Sequence, residues 1–228
     1  LNPHSLVLPA VLYALSAWFA SASLGPADLA SFGDTVAASF GAALRDPVNG
    51  LWLLAVIAAF VFFTDTHVNV DPSAAEIAES VIQAAFRLKL FGIAPKAALV
   101  SHSNFGSSES ASAQKLRDAL AILRQRAPKL EVEGEMHADI ALNEEARTRI
   151  FPQSRLTGRA NLLVFPNLDA ANASYNLVRS VTDGVGVGPI LMGLASTAHV
   201  LTPSATVRRV VNMTAIAAVD AQIRASRG

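Results

Sequence analysis

Three times between Lys96 and Phe165 the chain passes through a short stretch of strand character, and each stretch is separated from the next by sequence of helical character. Lys96-Ala-Ala-Leu-Val100, Leu130-Glu-Val-Glu-Gly134 and Ala160-Asn-Leu-Leu-Val-Phe165 are too short for buried helices, which predicts strands. Asp71 to Phe91 reads as a helix capped by Asp71, with Pro72 in its first turn, Glu76 and Glu79 near the positive end of the dipole, and a stop at Gly92. Ala111 to Gln125 is amphipathic, with Leu116, Leu120 and Leu123 on one side; Glu144–Ile150 and Ala170–Ser180 are further helices. Strands that alternate with helices predict an α/β fold with a mostly parallel sheet and right-handed crossovers. Ligands of such sheets sit beyond the carboxyl ends of the strands. Two of those ends carry polar loops, Ser101 to Ser108 and Pro166 to Asn172.

With 52% hydrophobic residues the chain has ample material for a core, and its formal net charge of zero argues against nucleic acid as a partner. No cysteine is present, so disulfides, thiolate nucleophiles and cysteine metal sites are excluded. His67, His102, His137 and His199 lack metal-ligand spacing, and no Gly-x-Gly-x-x-Gly or phosphate-loop motif occurs. Neither a metal site nor NADP binding is therefore expected within these residues. Asp65, Asp139 and Asp169 read as capping groups near strand ends.

Residues 1–63 form a hydrophobic segment of a different character. No charge falls between His4 and Asp28, and a second uncharged run covers Pro47 to Thr64. One reading is a hairpin of two membrane helices; the other is buried structure of a soluble protein, and a cleaved leader ending near Ala20-Ser-Ala22 is a third. Pro9 and the serines at 16, 21 and 23 weaken the first span, while Leu51–Phe63 is shorter than a bilayer requires. Phe60-Val-Phe-Phe63 itself suggests a strand. The expectation is a cytoplasmic domain over residues 64–228, with membrane association through residues 1–63 as the competing view. Leu1 in place of an initiating Met suggests a fragment.

Ser101-His-Ser-Asn-Phe-Gly-Ser-Ser108 places four hydroxyls, an amide and a glycine between a strand and a helix, an arrangement that can hold a phosphate without a lysine. Together with Asp65-Thr-His-Val-Asn69, Gly134-Glu-Met-His-Ala-Asp139, Phe165-Pro-Asn-Leu-Asp-Ala-Ala-Asn172, Gly188-Pro-Ile-Leu191 and Leu201-Thr-Pro-Ser-Ala-Thr206, this loop resembles the C-terminal phosphotransacetylase-like domain of bacterial NADP-dependent malic enzymes. The resemblance runs in order from about Thr64 to the end. It implies a three-layer α/β/α fold of the isocitrate/isopropylmalate dehydrogenase type, two lobes with the ligand cleft between them, and a homo-oligomer. Most of the first lobe should precede Asp65, yet residues 1–63 do not look like it.

The resemblance also implies what is missing. Active phosphotransacetylases carry Thr where Asn104 stands and commonly a basic residue at Phe105. Their Ser-Arg pair and the Asp six residues further on correspond to Thr202, Pro203 and Arg209. Losing a proton acceptor or a charge-stabilising donor costs a factor of roughly 10² to 10⁴ each. The expected function is thus a catalytically degenerate module that binds acetyl-CoA and regulates malic-enzyme catalytic domains, with no catalytic residue of its own. The implied ligand contacts are Ser101, Ser103, Asn104, Ser107, Thr202, Ser204 and Arg209, with acetyl-CoA as ligand; NADP and a divalent metal would belong to the malic-enzyme portion absent from these residues. Two other readings stand beside it. One is an active phosphate acetyltransferase using His102 or His199 as base; the other is a structural oligomerisation module, membrane-tethered or not.

Overall fold

A computed structural model describes residues 60–182, 186–203 and 205–225. The apolar stretch Leu6–Leu24, most of Leu51–Phe63 and Ser204 lie outside the described residues. Among those described, no helix is long and apolar enough to cross a membrane.

From Phe60 onward the chain forms one compact unit. Its elements run β1 (Phe62–Phe63), α1 (Ala74–Leu90), β2 (Lys96–Val100), α2 (Ala111–Arg126), β3 (Glu131–Met136), α3 (Ala138–Leu142), α4 (Glu144–Ile150), β4 (Leu162–Val164), α5 (Leu168–Val181) and α6 (Val207–Ala225). The four strands form a single parallel sheet in the order β1-β4-β2-β3, the α/β architecture expected from the alternation. Phe62 and Ala97 both face Leu162 across the ladder, so β4 is the central seam joining the first strand to the rest.

Strand parity divides the core. Ala98, Val100, Met136, Leu163 and Phe165 pack with Ile140 and Ala141 of α3 and Ala171 of α5. The opposite parity, Ala97, Leu99, Leu162 and Val164, turns to the side of α1 and α2, whose Val81, Leu88, Leu116 and Leu123 are fully buried. Burial on both faces explains why β2 and β4 read as nearly continuous apolar runs rather than alternating ones. Each fully enclosed leucine contributes about 1.5–3 kcal/mol by leaving water.

Helix α1 begins two residues later than the sequence suggests. Ser73, not Asp71, is its N-cap: the Ser73 hydroxyl accepts from Glu76 N, and the Glu76 carboxylate accepts from Ser73 N. A reciprocal pair satisfies two terminal donors where an aspartate satisfies one. Pro72 therefore precedes the cap instead of opening the helix, and Asp71 forms an ion pair with Lys115.

The third strand also departs from expectation. It continues past Gly134 to Met136, and its register against β2 jumps from Leu99↔Gly134 to Val100↔Met136. Glu135 is the extra residue of this bulge. Gly134 makes the bulge feasible: its φ of 149° is outside the range of ordinary side chains, and a Cβ there would lie 2.7 Å from Leu99 Cβ.

Candidate ligand site at the carboxyl edge of the sheet

The loops that leave the carboxyl ends of the strands all carry polar groups, and the bulge sends one of them inward. Glu135, with no exposed surface, sits beneath the loop Ser101–Ser108. Its Oε1 accepts from Ser103 Oγ at 2.6 Å, from Gly106 N at 2.8 Å and from Arg117 Nη1 at 3.0 Å. Burial pushes its pKa up, but the hydrogen bonds from Ser103 and Gly106 and the Arg117 charge outweigh it and leave the carboxyl below its ordinary range. Glu135 is thus a fixed anion. It is a poor proton acceptor and a good anchor.

Around this anchor the serine loop is bonded mainly to itself. Ser103, also with no exposed surface, donates its hydroxyl hydrogen to Glu135 and accepts from Ser108 N at 3.0 Å. Ser101 Oγ accepts from Ser103 N at 3.2 Å, and Ser107 Oγ accepts from Asn104 N at 2.9 Å. Asn104 Oδ1 accepts from His137 N at 2.8 Å, while His102 O lies 2.8 Å from His137 Nε2. His102 Nε2 lies 3.3 Å from Ser108 Oγ. Phe105 occupies the left-handed region with φ 48° and stacks on Phe151 at 4.4 Å between ring centroids. That pair closes the loop with an apolar lid.

Beyond β1 and β4 an open cleft of about 490 Å³ is lined by Thr66, His67, Leu168, Asp169, Asn172 and Ala173. Just before Thr66, Asp65 accepts from Val68 N and Asn69 N, so it caps a turn as expected. Thr66 Oγ1 is bonded to His67 Nδ1 at 2.6 Å, and Asn172 Nδ2 donates to Thr66 O at 3.0 Å, which ties the two loops together. Asn167, not Asp169, caps α5, accepting from Ala170 N at 2.9 Å.

The C-terminal group is built separately. Arg209, half-buried at the start of α6, donates from Nε to Gly188 O at 2.7 Å. Thr202 is exposed, and Ser204 lies outside the described residues. Of the expected contacts, Ser101, Ser103, Asn104 and Ser107 therefore share one loop, Thr202 and Arg209 belong to another segment, and Ser103 faces Glu135 rather than solvent. Sequence reasoning passed over Glu135 and Arg117. The available signal was a glycine inside a strand, which often marks a bulge. Among the described residues no three His, Asp or Glu side chains gather in a way that could hold a metal.

The chain is similar to known proteins. A 159-residue stretch is 58% identical to the NAD-dependent malic enzyme of Rhizobium meliloti, covering 70% of the chain but only 21% of that enzyme. Against the NADP-dependent malic enzyme of Haemophilus influenzae, 194 residues are 49% identical, covering 85% of the chain and 25% of the enzyme. The chain thus spans about a quarter or less of these relatives. The crystal structure of a phosphotransacetylase from Streptococcus pyogenes superposes with a TM-score of 0.69 at 31% identity, over 73% of this chain and 51% of that one. The sequence profile of the phosphate acetyl/butaryl transferases matches residues 43–218, beginning upstream of Thr64, and the chain belongs to that family.

Proposed function

We propose that the chain is an acyl-CoA-binding regulatory module of a malic enzyme, a transferase scaffold that binds acetyl-CoA without turning it over. Malic-enzyme catalytic domains and further copies of the chain are its proposed partners, in the cytoplasm. The observation that carries this reading is the closed serine loop: where active phosphotransacetylases commonly carry a basic residue, Phe105 stacks on Phe151, and the carboxylate beneath is Glu135, locked by its hydrogen bonds. At the C-terminal turn Pro203 and Arg209 stand in place of the family's arginine and carboxylate. Two relatives named as malic enzymes, each about four or more times longer than the matched part, support a regulatory place in a larger protein.

Binding groups remain. With Nε held by Gly188 O, the Arg209 guanidinium is oriented and its two terminal nitrogens form a fork suited to the phosphates of coenzyme A. Ser101, Asn104 and Ser107 line the strand-end loop with Ser103 supporting them from beneath, and Thr202 and Ser204 complete the proposed contacts. The coenzyme, NADP in the reading above, and the divalent metal would reside in the catalytic portion.

A thermal-shift titration with acetyl-CoA tests the reading. At a hundred times its dissociation constant the ligand should stabilise the chain by about 2.7 kcal/mol, and acetyl phosphate plus coenzyme A should give no turnover. No shift would leave a purely structural module. Turnover at enzymatic rates would restore an active transferase and make His102 the first candidate for its base.

A further inference from the structure

The segment that leads from Gly188 into α6 is held by two nested ties. The outer one is the bond from Arg209 Nε to Gly188 O, which closes a span of 21 residues. Inside it, Leu191 N donates to His199 Nδ1 at 3.2 Å across a span of 8 residues. A backbone N–H can only donate, so the inner tie requires an unprotonated Nδ1. The other ring nitrogen, Nε2, is shut off from solvent and has no hydrogen-bond partner among the described residues.

The groups around the ring oppose a second proton. Burial and the Arg87 guanidinium of α1 hold the imidazole below the ordinary histidine value of 6.5, and no carboxylate offsets them. Asp220 of α6 is committed to Arg87, and Arg209 of α6 is turned to Gly188 O. Gln83 of α1, which lies against Gly193 of the same segment, is neutral. A proton on Nδ1 would set one donor against another at Leu191 and place a cation beside a guanidinium. Protonation and breakage of the inner tie are therefore one event.

We propose that His199 is a proton-operated clasp: acid opens the Leu191–His199 tie and loosens the segment from Gly188 to Leu201 while the sheet stays folded. Its effect on ligand rests on the acyl-CoA reading above. With the inner tie gone, the outer one closes its whole span unaided, which costs more chain entropy, and Arg209 is less firmly oriented for the phosphates. The folded value of His199 lies below the unfolded one, so the clasp is intact above about pH 6.5 and is lost as the pH falls through the folded value. One pH unit below 6.5 the opening equilibrium can gain at most about tenfold.

Hydrogen exchange on the 228-residue chain tests the clasp. Rates are read at about pH 7.5 and about pH 5.5 and corrected for the intrinsic pH dependence of amide exchange. Protection of the Leu191 amide should fall several-fold, up to about tenfold, while that of Ala98 and Leu99 in β2 holds. His199→Asn, whose Oδ1 can accept from Leu191 N without titrating, should keep its protection at both pH values. Unchanged protection in the parent, or an equal fall in the folded variant, overturns the proposal. If His199→Asn does not fold, the parent decides alone: the ring's own titration by NMR must share its midpoint with the loss of Leu191 protection, and separate midpoints overturn the clasp. Calorimetry with acetyl-CoA then tests the consequence. Relative to His199→Asn, in which titration of the ligand's own phosphate cancels, the parent's affinity should weaken by a similar factor at the lower pH. Equal affinities over an open clasp overturn the link to Arg209. Absence of binding at about pH 7.5 overturns the acyl-CoA reading and leaves the clasp to be decided by exchange.

Discussion

At Glu135 the sign of the charge effect sets a pH window. Its folded pKa lies below the ordinary value of 4.5, so the stability it contributes is present above about pH 4.5 and is lost as the pH falls through the folded value. Acid unfolding followed by circular dichroism should therefore be steeper in the parent than in Glu135→Gln, which removes the titration. Glu135→Ala should be worse, costing about 1–3 kcal/mol, because the buried Ser103 hydroxyl and Gly106 N lose their common acceptor. Arg209 belongs to the ligand rather than to the fold: Arg209→Ala should weaken acetyl-CoA binding tenfold to a hundredfold in calorimetry, by loss of a charged hydrogen bond. An unchanged affinity would remove the C-terminal turn from the site. The serine loop was legible as a polar strand end because hydroxyls and a glycine follow an apolar run. That Ser103 points down to a carboxylate was not, since Glu135 is remote in sequence and comes under the loop through a bulge.

Elements were more legible than their boundaries. Lys96–Val100 and the helices with leucines at helical spacing were readable because periodicity reports burial directly. The start of α1 was not, because Asp71, Pro72 and Ser73 all favour a helix start and only the reciprocal bond to Glu76 selects Ser73. Ser73→Ala should lower stability by about 1 kcal/mol in urea denaturation, while Asp71→Ala, at an exposed ion pair, should change it by less. Helix α3 escaped notice because five residues give no periodic signal. Gly134 and Gly92 make a contrast that the sequence hides: both have positive φ, but only Gly134 has Leu99 in the way. Gly92→Ala should cost about 1–2 kcal/mol, and Gly134→Ala at least twice that, since steric overlap adds to backbone strain. Comparable losses in the two variants would show that the strand can yield at the bulge.

For the whole molecule, the tie between α1 and α6 through Arg87 and Asp220 is nearly buried, with 11% and 5% of the two side chains exposed. Asp220→Ala should cut this tie and lower stability in urea denaturation, and proteolysis should reach α6 before the sheet. The sheet order has a consequence in time as well as in space. A ribosome releases β1 about a hundred residues before β4, yet among the described residues β1 pairs with β4 alone, so the first of these strands to be made must wait for the last. Strands β2 and β3, with α2 between them, can associate during that interval, and insertion of β4 then closes both edges of the gap in one event. The chain is in this sense zipped shut from its middle, and amides of β2 should gain protection from exchange before those of Phe62 and Phe63.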